Sequence, residues 1–150
     1  MGTLWQALEH ILRPNQVFKD LAVRTAYEFD ASLARGRPDT VVIPETAAEV
    51  VKVVQVAEEY GVPLVARGAG TGLSGGAIAN RGGIVIAFTR MDRILRIDKR
   101  NRLAIVEPGL INDRLTTEVS KHGLYYAPDP SSQRVCTLGG NVAENSGGAH

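Results

Sequence analysis

Cysteine is almost absent from this sequence: Cys136 stands alone, so no internal disulfide can form and a reducing compartment is the expected setting. No stretch of charge-free apolar residues is long enough to span a bilayer. The opening MGTLWQALEHILRPNQ lacks the basic start and unbroken apolar run of a secretory signal. The expected location is therefore cytoplasmic. Charge of one sign is also scarce, since 17 Lys and Arg face 16 Asp and Glu for a formal net charge of +1. Arg90, Arg93, Arg96, Lys99, Arg100 and Arg102 crowd one region, but Asp92, Asp98 and Glu107 are interleaved and no aromatic platform accompanies them. That pattern reads as a solvated hairpin face, not a nucleic-acid surface. Of three histidines, His10 and His122 fall at helix ends and His150 at the terminus; none is assigned to metal binding or catalysis.

What the sequence does contain is glycine and regular apolar patterning. With 150 residues and 44% hydrophobic residues, one domain with a substantial core is expected. Leu4, Leu8, Ile11 and Leu12 recur at helical spacing behind Thr3 as N-cap, and Pro14 is placed to begin a second short helix through Phe18 and Leu21. A polar, turn-rich connection, EFDASLARGRPDT, follows. From Thr40, TVVIP reads as a short strand, and the next segment carries a capping box at Thr46 and Glu49. Its predicted apolar stripe is Val50, Val53, Val54 and Ala57, and Gly61 with Pro63 ends the helix.

PLVARG is a second strand, so this strand-helix-strand order predicts parallel strands joined by a right-handed crossover. GGIVIAF reads as a buried strand, and RILRID with RLAIVEPG reads as a hairpin turning at residues 99–101. A further helix carries Ile111, Leu115 and Val119 on one face and ends at Gly123. The last 26 residues show little periodicity and no strand of useful length. No repeat or low-complexity tract is present.

Residues 67–76, RGAGTGLSGG, contain a literal Gly-x-Gly-x-x-Gly string at Gly70, Gly72 and Gly75. A Rossmann loop needs a helix starting at the third glycine, to hold a pyrophosphate at its N-terminus. Only GAIANR separates Gly75 from Gly82, and the residues after Gly83 are β-like. The string is not a Rossmann site. A P-loop fails as well, because no Gly-Lys-Ser or Gly-Lys-Thr follows. Five glycines in ten residues, leaving the C-terminal end of a buried strand, fit a backbone nest whose successive N–H groups converge on an anion. Thr71 and Ser74 offer hydroxyls to it, and Arg67 offers charge.

A second glycine-rich stretch, TLGGNVAENSGG, follows the rigid PDPSS. Two separated loops with hydroxyl or amide donors suit one long ligand gripped from two sides. A flavin dinucleotide, with its pyrophosphate and flat hydrogen-bonding ring, fits. Cys136 beside Thr137 reads as a packed thiol, since no CxxC pattern activates it.

Taken together, VVIPETAAEVVKVVQVA, PLVARGAGTGLSGGA, VEPG, APDPSS and TLGGNVAENSGGAH occur in the order found in FAD-linked oxidases of the vanillyl-alcohol oxidase and p-cresol methylhydroxylase type. The sequence resembles this family from about Tyr27 onward. Within it the likeness is to the FAD-binding subunit of glycolate oxidase and to D-lactate and D-2-hydroxyacid dehydrogenases. The implied fold is α+β, sandwich-like: the N-terminal part of a p-cresol methylhydroxylase-type FAD-binding domain, with a mixed sheet and flanking helices. Residues 1–36 are then a helical lead-in, and 37–150 the first part of the FAD-binding domain.

The resemblance implies that Arg67, Gly68, Ala69, Gly70, Thr71, Gly72, Gly75 and Gly76 form the pyrophosphate loop. It places Pro128, Asp129, Ser131, Thr137, Gly139, Gly140 and Asn141 along the flavin ring and ribityl chain, with Asn145, Gly147 and Gly148 closing that segment. Some relatives attach FAD through a histidine where Thr71 stands here, so the expected cofactor is non-covalent FAD.

The implied activity is oxidation of a small 2-hydroxy acid, glycolate or D-lactate, to the 2-oxo acid. The substrate site and the catalytic base are expected in a C-terminal domain beyond this sequence, and partner subunits are expected to take the electrons. On this reading the sequence is an N-terminal fragment, inactive by itself. A noncatalytic FAD-binding or assembly module is the alternative. The NADPH-dependent wall-precursor reductases of the same fold are disfavoured by PDPSS and GGNVAENSGG.

Overall fold

The computed structural model describes residues 2–149, which leaves His150 outside the described residues. Helix α1, Leu4–Ile11, starts at Thr3, whose hydroxyl accepts from Gln6 N–H while the Gln6 side chain accepts from Thr3 N–H at 2.8 Å. The reciprocal cap satisfies two backbone donors that a helix start leaves orphaned. Leu8 is fully buried.

The single short helix expected after Pro14 is not there. Residues Pro14–Gln16 make one 3-10 turn, strand β1 covers Val17–Phe18, and α2 covers Leu21–Ala26. Two causes are visible. Val17 and Phe18 pair antiparallel with Val42 and Val41, and Asp20 restarts the chain as a helix by accepting from Ala22 N–H at 2.7 Å. Strand pairing thus overrides the local signal. Gln16, wholly buried, is reconciled with the core by donating to Glu49 at 3.0 Å and accepting from Arg13 N–H at 2.9 Å.

Strands β2 (Thr40–Val42), β3 (Leu64–Arg67) and β4 (Ile84–Ala87) complete a four-stranded mixed sheet in the order β1-β2-β4-β3. The strands on either side of the crossover helix are parallel, as expected, but β4 lies between them. That helix, α3, spans Ala47–Tyr60, with the predicted capping box at Thr46 and Glu49 and Gly61 at φ 63° as its stop. Its buried face agrees with the expected one at Val53 and Ala57 and departs from it at Val54. Val53, Val56 and Ala57 are buried and Val54 is exposed, because the stripe 53, 56, 57, 60 brings Tyr60 onto the same core.

The sheet is covered on both faces. Ile84 and Ile86 of β4 point to α1 and α3, whereas Val85 and Ala87 point to a second cluster with Val41 and Ala79. This alternation is the period-2 geometry of a strand. A central strand covered twice explains the unbroken apolar run IVIA.

The C-terminal half builds a smaller layer. Strands β5 (Ile94–Asp98) and β6 (Leu103–Val106) form an antiparallel pair, and α4 (Asn112–Ser120) lays Leu115 and Val119 on it. One helix was not foreseen: α5, Leu138–Ala143, inside the second glycine-rich stretch. Gly139 and Gly140 suppress helix propensity there, but Thr137 caps it by accepting from Gly140 N–H at 3.2 Å. Among the described residues no helix is long and apolar enough to cross a membrane.

Candidate functional site

The glycine loop runs from Arg67, the last residue of β3, to β4, without a helix. Arg67 is buried under it. Its guanidinium donates to Phe29 O at 2.8 Å and to Ala77 O at 3.4 Å, and lies 5.2 Å from the Tyr27 ring centroid. Burial pulls the guanidinium pKa below its ordinary value, opposed by Tyr27 and Asp30. Its donors therefore brace the root of the loop. Gly70, at φ 71°, crosses so close above that a Cβ would collide with the guanidinium, and Gly70 O accepts from Ala31 N–H at 3.0 Å.

While the carbonyls of Gly70, Gly75 and Ala77 accept hydrogen bonds, the loop's amides do not donate. No backbone N–H of residues 68–77 donates to another described residue. Such a run of unspent donors is the material of an anion cradle.

The second glycine-rich stretch forms the facing wall. A Cβ on Gly68 would collide with Thr137 Oγ1, so the two walls touch at the base. Gly139 N–H donates to Pro108 O at 2.9 Å, and a Cβ there would lie 2.8 Å from that oxygen. Only glycine lets α5 sit so close to the chain leaving β6. Between the walls is a cleft of about 180 Å³.

Of the residues expected to bind, Arg67, Gly68, Ala69, Gly70, Thr71, Gly72, Thr137, Gly139, Gly140 and Asn141 line this cleft. Asn141 is 5% exposed; its backbone is paired, yet its side-chain amide nitrogen is buried without a partner among the described residues. An unspent donor on a residue that lines the cleft is a group a bound partner would satisfy.

The remaining expected residues stand outside the cleft lining. Gly75 and Gly76 form the outer turn of the loop. Asp129 pairs with Gly148 in a bridge, Asp129 N–H donates to Gly147 O at 2.8 Å, and Pro128 O accepts from Asn112 at 2.9 Å. Asn145, at φ 53°, is in the left-handed turn after α5. Ser131 lies in the exposed turn between them.

Ser74 does not face the cradle either: its hydroxyl donates to Glu144 at 2.7 Å. Phe88, Pro108, Ser132, Cys136, Glu144 and Ser146 line the cleft without having been assigned to it. Four of these lay within recognised motifs, Pro108 in VEPG, Ser132 in PDPSS and both Glu144 and Ser146 in AENSGG, and Phe88 follows the buried strand run. Proximity to those motifs was the available signal.

A mixed sheet ending in a helix-free glycine loop, faced by a second glycine-rich wall, defines a class of cofactor-binding domain. A family model described as FAD binding domain matches residues 38–150, and the chain belongs to that family. The glycolate oxidase subunit GlcD of Escherichia coli strain K12 is 48% identical over 125 residues, 83% of this chain and 25% of that protein. The D-lactate dehydrogenase of Anaerostipes hadrus is 39% identical over 118 residues, 79% of this chain and 25% of that protein. Among solved structures, p-cresol methylhydroxylase with substrate bound superposes with a TM-score of 0.76 at 20% identity, covering 93% of this chain and 28% of its own. That likeness carries the fold. The chain spans about a quarter of the length of the curated relatives it matches.

The cofactor is FAD, and the cleft fits it. The free N–H run offers donors to a pyrophosphate, Asn141 offers an unpaired amide, and the lining is otherwise neutral except for the buried Arg67 and Glu144 at the rim.

Proposed function

We propose that this chain supplies the FAD cradle of an oxidoreductase acting on a small 2-hydroxy acid, with glycolate and D-lactate the candidate substrates. The observation that carries the cofactor half is the free backbone N–H run of residues 68–77 opposite the unpaired amide of Asn141. The substrate half rests on the activities for which its relatives are named, a glycolate oxidase subunit and a D-lactate dehydrogenase. When bound, FAD supplies the two-electron acceptor for oxidising the carbinol carbon to a ketone or aldehyde.

The roles of the chain's own residues are binding and orientation. Gly68, Ala69, Gly70, Thr71 and Gly72 present amides to the pyrophosphate. Thr137, Gly139, Gly140 and Asn141 line the flavin side, while Pro128, Asp129, Ser131, Asn145, Gly147 and Gly148 hold that wall in place. FAD is held non-covalently, since Thr71 has no imidazole nitrogen with which to bond a flavin. By analogy with the relative named as a subunit, electrons leave through a partner subunit.

Titration of the purified protein with FAD, followed by flavin fluorescence and the visible spectrum, tests the cradle. Saturable binding is expected, and acid precipitation is expected to release all of the flavin into the supernatant. A folded protein that leaves FAD fluorescence and absorbance unchanged would overturn the reading.

A further inference from the structure

Among the described residues lining the cleft, Glu144 carries the only carboxylate. It caps the end of α5, and its partner Ser74 sits at the tip of the glycine loop, 70 residues away in sequence. Their 2.7 Å hydrogen bond is the second place where the walls meet, after the Gly68–Thr137 contact at the base. Gly76 makes room for it, and Gly72 lies at ordinary contact distance. A Cβ at Gly76 would collide with Glu144 Oε1, and one at Gly72 would lie 3.8 Å from its carboxyl carbon.

We propose that Glu144 is a positioning residue, and that the Ser74–Glu144 pair is a clasp that holds the loop tip against α5. The inference rests on the FAD-cradle reading. It assigns Ser74 and Glu144 a task distinct from touching the cofactor. A loop with unspent amides and five glycines has many conformations to lose on binding. Pinning its tip in the free protein removes part of that loss before FAD arrives, which is pre-organisation.

The clasp can be read without FAD, because Leu73, next to Ser74, is 79% exposed and offers thermolysin a cleavage site at the Gly72–Leu73 bond. In Ser74→Ala and in Glu144→Ala, cleavage there is expected to run about fivefold faster than in the parent protein, the equivalent of one net hydrogen bond. Their FAD dissociation constants are expected to rise by a similar factor, about fivefold. The double variant should be no worse than either single one. Glu144→Gln keeps an acceptor for the Ser74 hydroxyl and should stay within about twofold of the parent in both measurements.

Unchanged cleavage in Glu144→Ala, additive losses in the double variant, or a Glu144→Gln as impaired as Glu144→Ala would each overturn the clasp. Far-UV circular dichroism confirms that each variant is folded, and both positions are exposed enough to tolerate alanine. If the parent protein failed to bind FAD, the cradle reading would fall while the cleavage comparison still judged the clasp.

Discussion

Among the described residues Asn141 keeps a buried amide without an acceptor, which costs the free protein about 1–3 kcal/mol. Leucine has the same branched outline and carries no polar atom, so removing the unpaired donor is expected to offset the bulk of its methyl groups, and Asn141→Leu to leave the melting temperature unchanged or raise it. The same variant should weaken FAD binding by about tenfold, the value of one lost hydrogen bond in a closed site. Calorimetric melting and FAD titration on one preparation would separate the two effects. Gly68→Ala should act in the other direction on stability. Its Cβ can be accommodated only if the Thr137 hydroxyl swings away, which breaks the α5 cap at a cost of about 1 kcal/mol, read as a lower urea midpoint. At this scale the glycines announced themselves, because their density had no other physical reason. Glu144 did not, since its meaning depends on a contact with Ser74 that no local pattern encodes.

Elements differ in how much of their cause is local. Helix α3 was legible because its start, stop and period lie within its own sequence, and Thr46→Ala is expected to cost about 1 kcal/mol through the lost cap. Its buried face was legible only approximately, because Val50, Val51, Val53, Val54 and Val56 support several stripes and the position of α1 selects among them. Val53→Ala should therefore cost about 2–3 kcal/mol, and Val54→Ala less than about 0.5 kcal/mol, in urea unfolding. Strand β1 escaped notice because two residues carry no period; its identity comes from pairing with β2. Helix α5 escaped because glycine content argued against it while its cap and its seat on Pro108 argued for it. The segment before residue 37 is tied to the rest, through α1 against α3 and through Phe29 O and Ala31 N–H on Arg67 and Gly70.

Across the whole molecule, acid stability has an identifiable contributor. Glu107 is nearly buried where β6 turns toward the cleft, and Arg93 grips it with Nη2 at 2.7 Å and Nε at 3.1 Å. Those hydrogen bonds hold its carboxyl below the usual range, against the opposing effect of desolvation. A carboxylate lowered in the folded state contributes stability above its unfolded pKa, about 4.3, and that contribution is lost as pH falls through the lower folded value. The melting temperature should thus drop as pH is taken below about 4.3, and Glu107→Gln should flatten that drop. Bound FAD should lift the whole curve, by about 2.7 kcal/mol when free FAD is a hundred times its dissociation constant.

The strand order carries a consequence for how the chain is made. Strand β3 leaves the ribosome before β4, yet in the finished sheet its strand neighbour is β4, which also fills the gap beside β2. Until residues 84–87 emerge, β3 has no strand to pair with, and the glycine-rich segment between them hangs as an unclosed tether. Arrival of β4 seats the centre of the sheet and closes the loop in one event. A nascent chain exposed only as far as residue 83 should therefore pair β1 with β2 but leave β3 and the glycine loop unprotected, and one exposed past Phe88 should protect β3 and close the loop together, the second wall of the cradle following later.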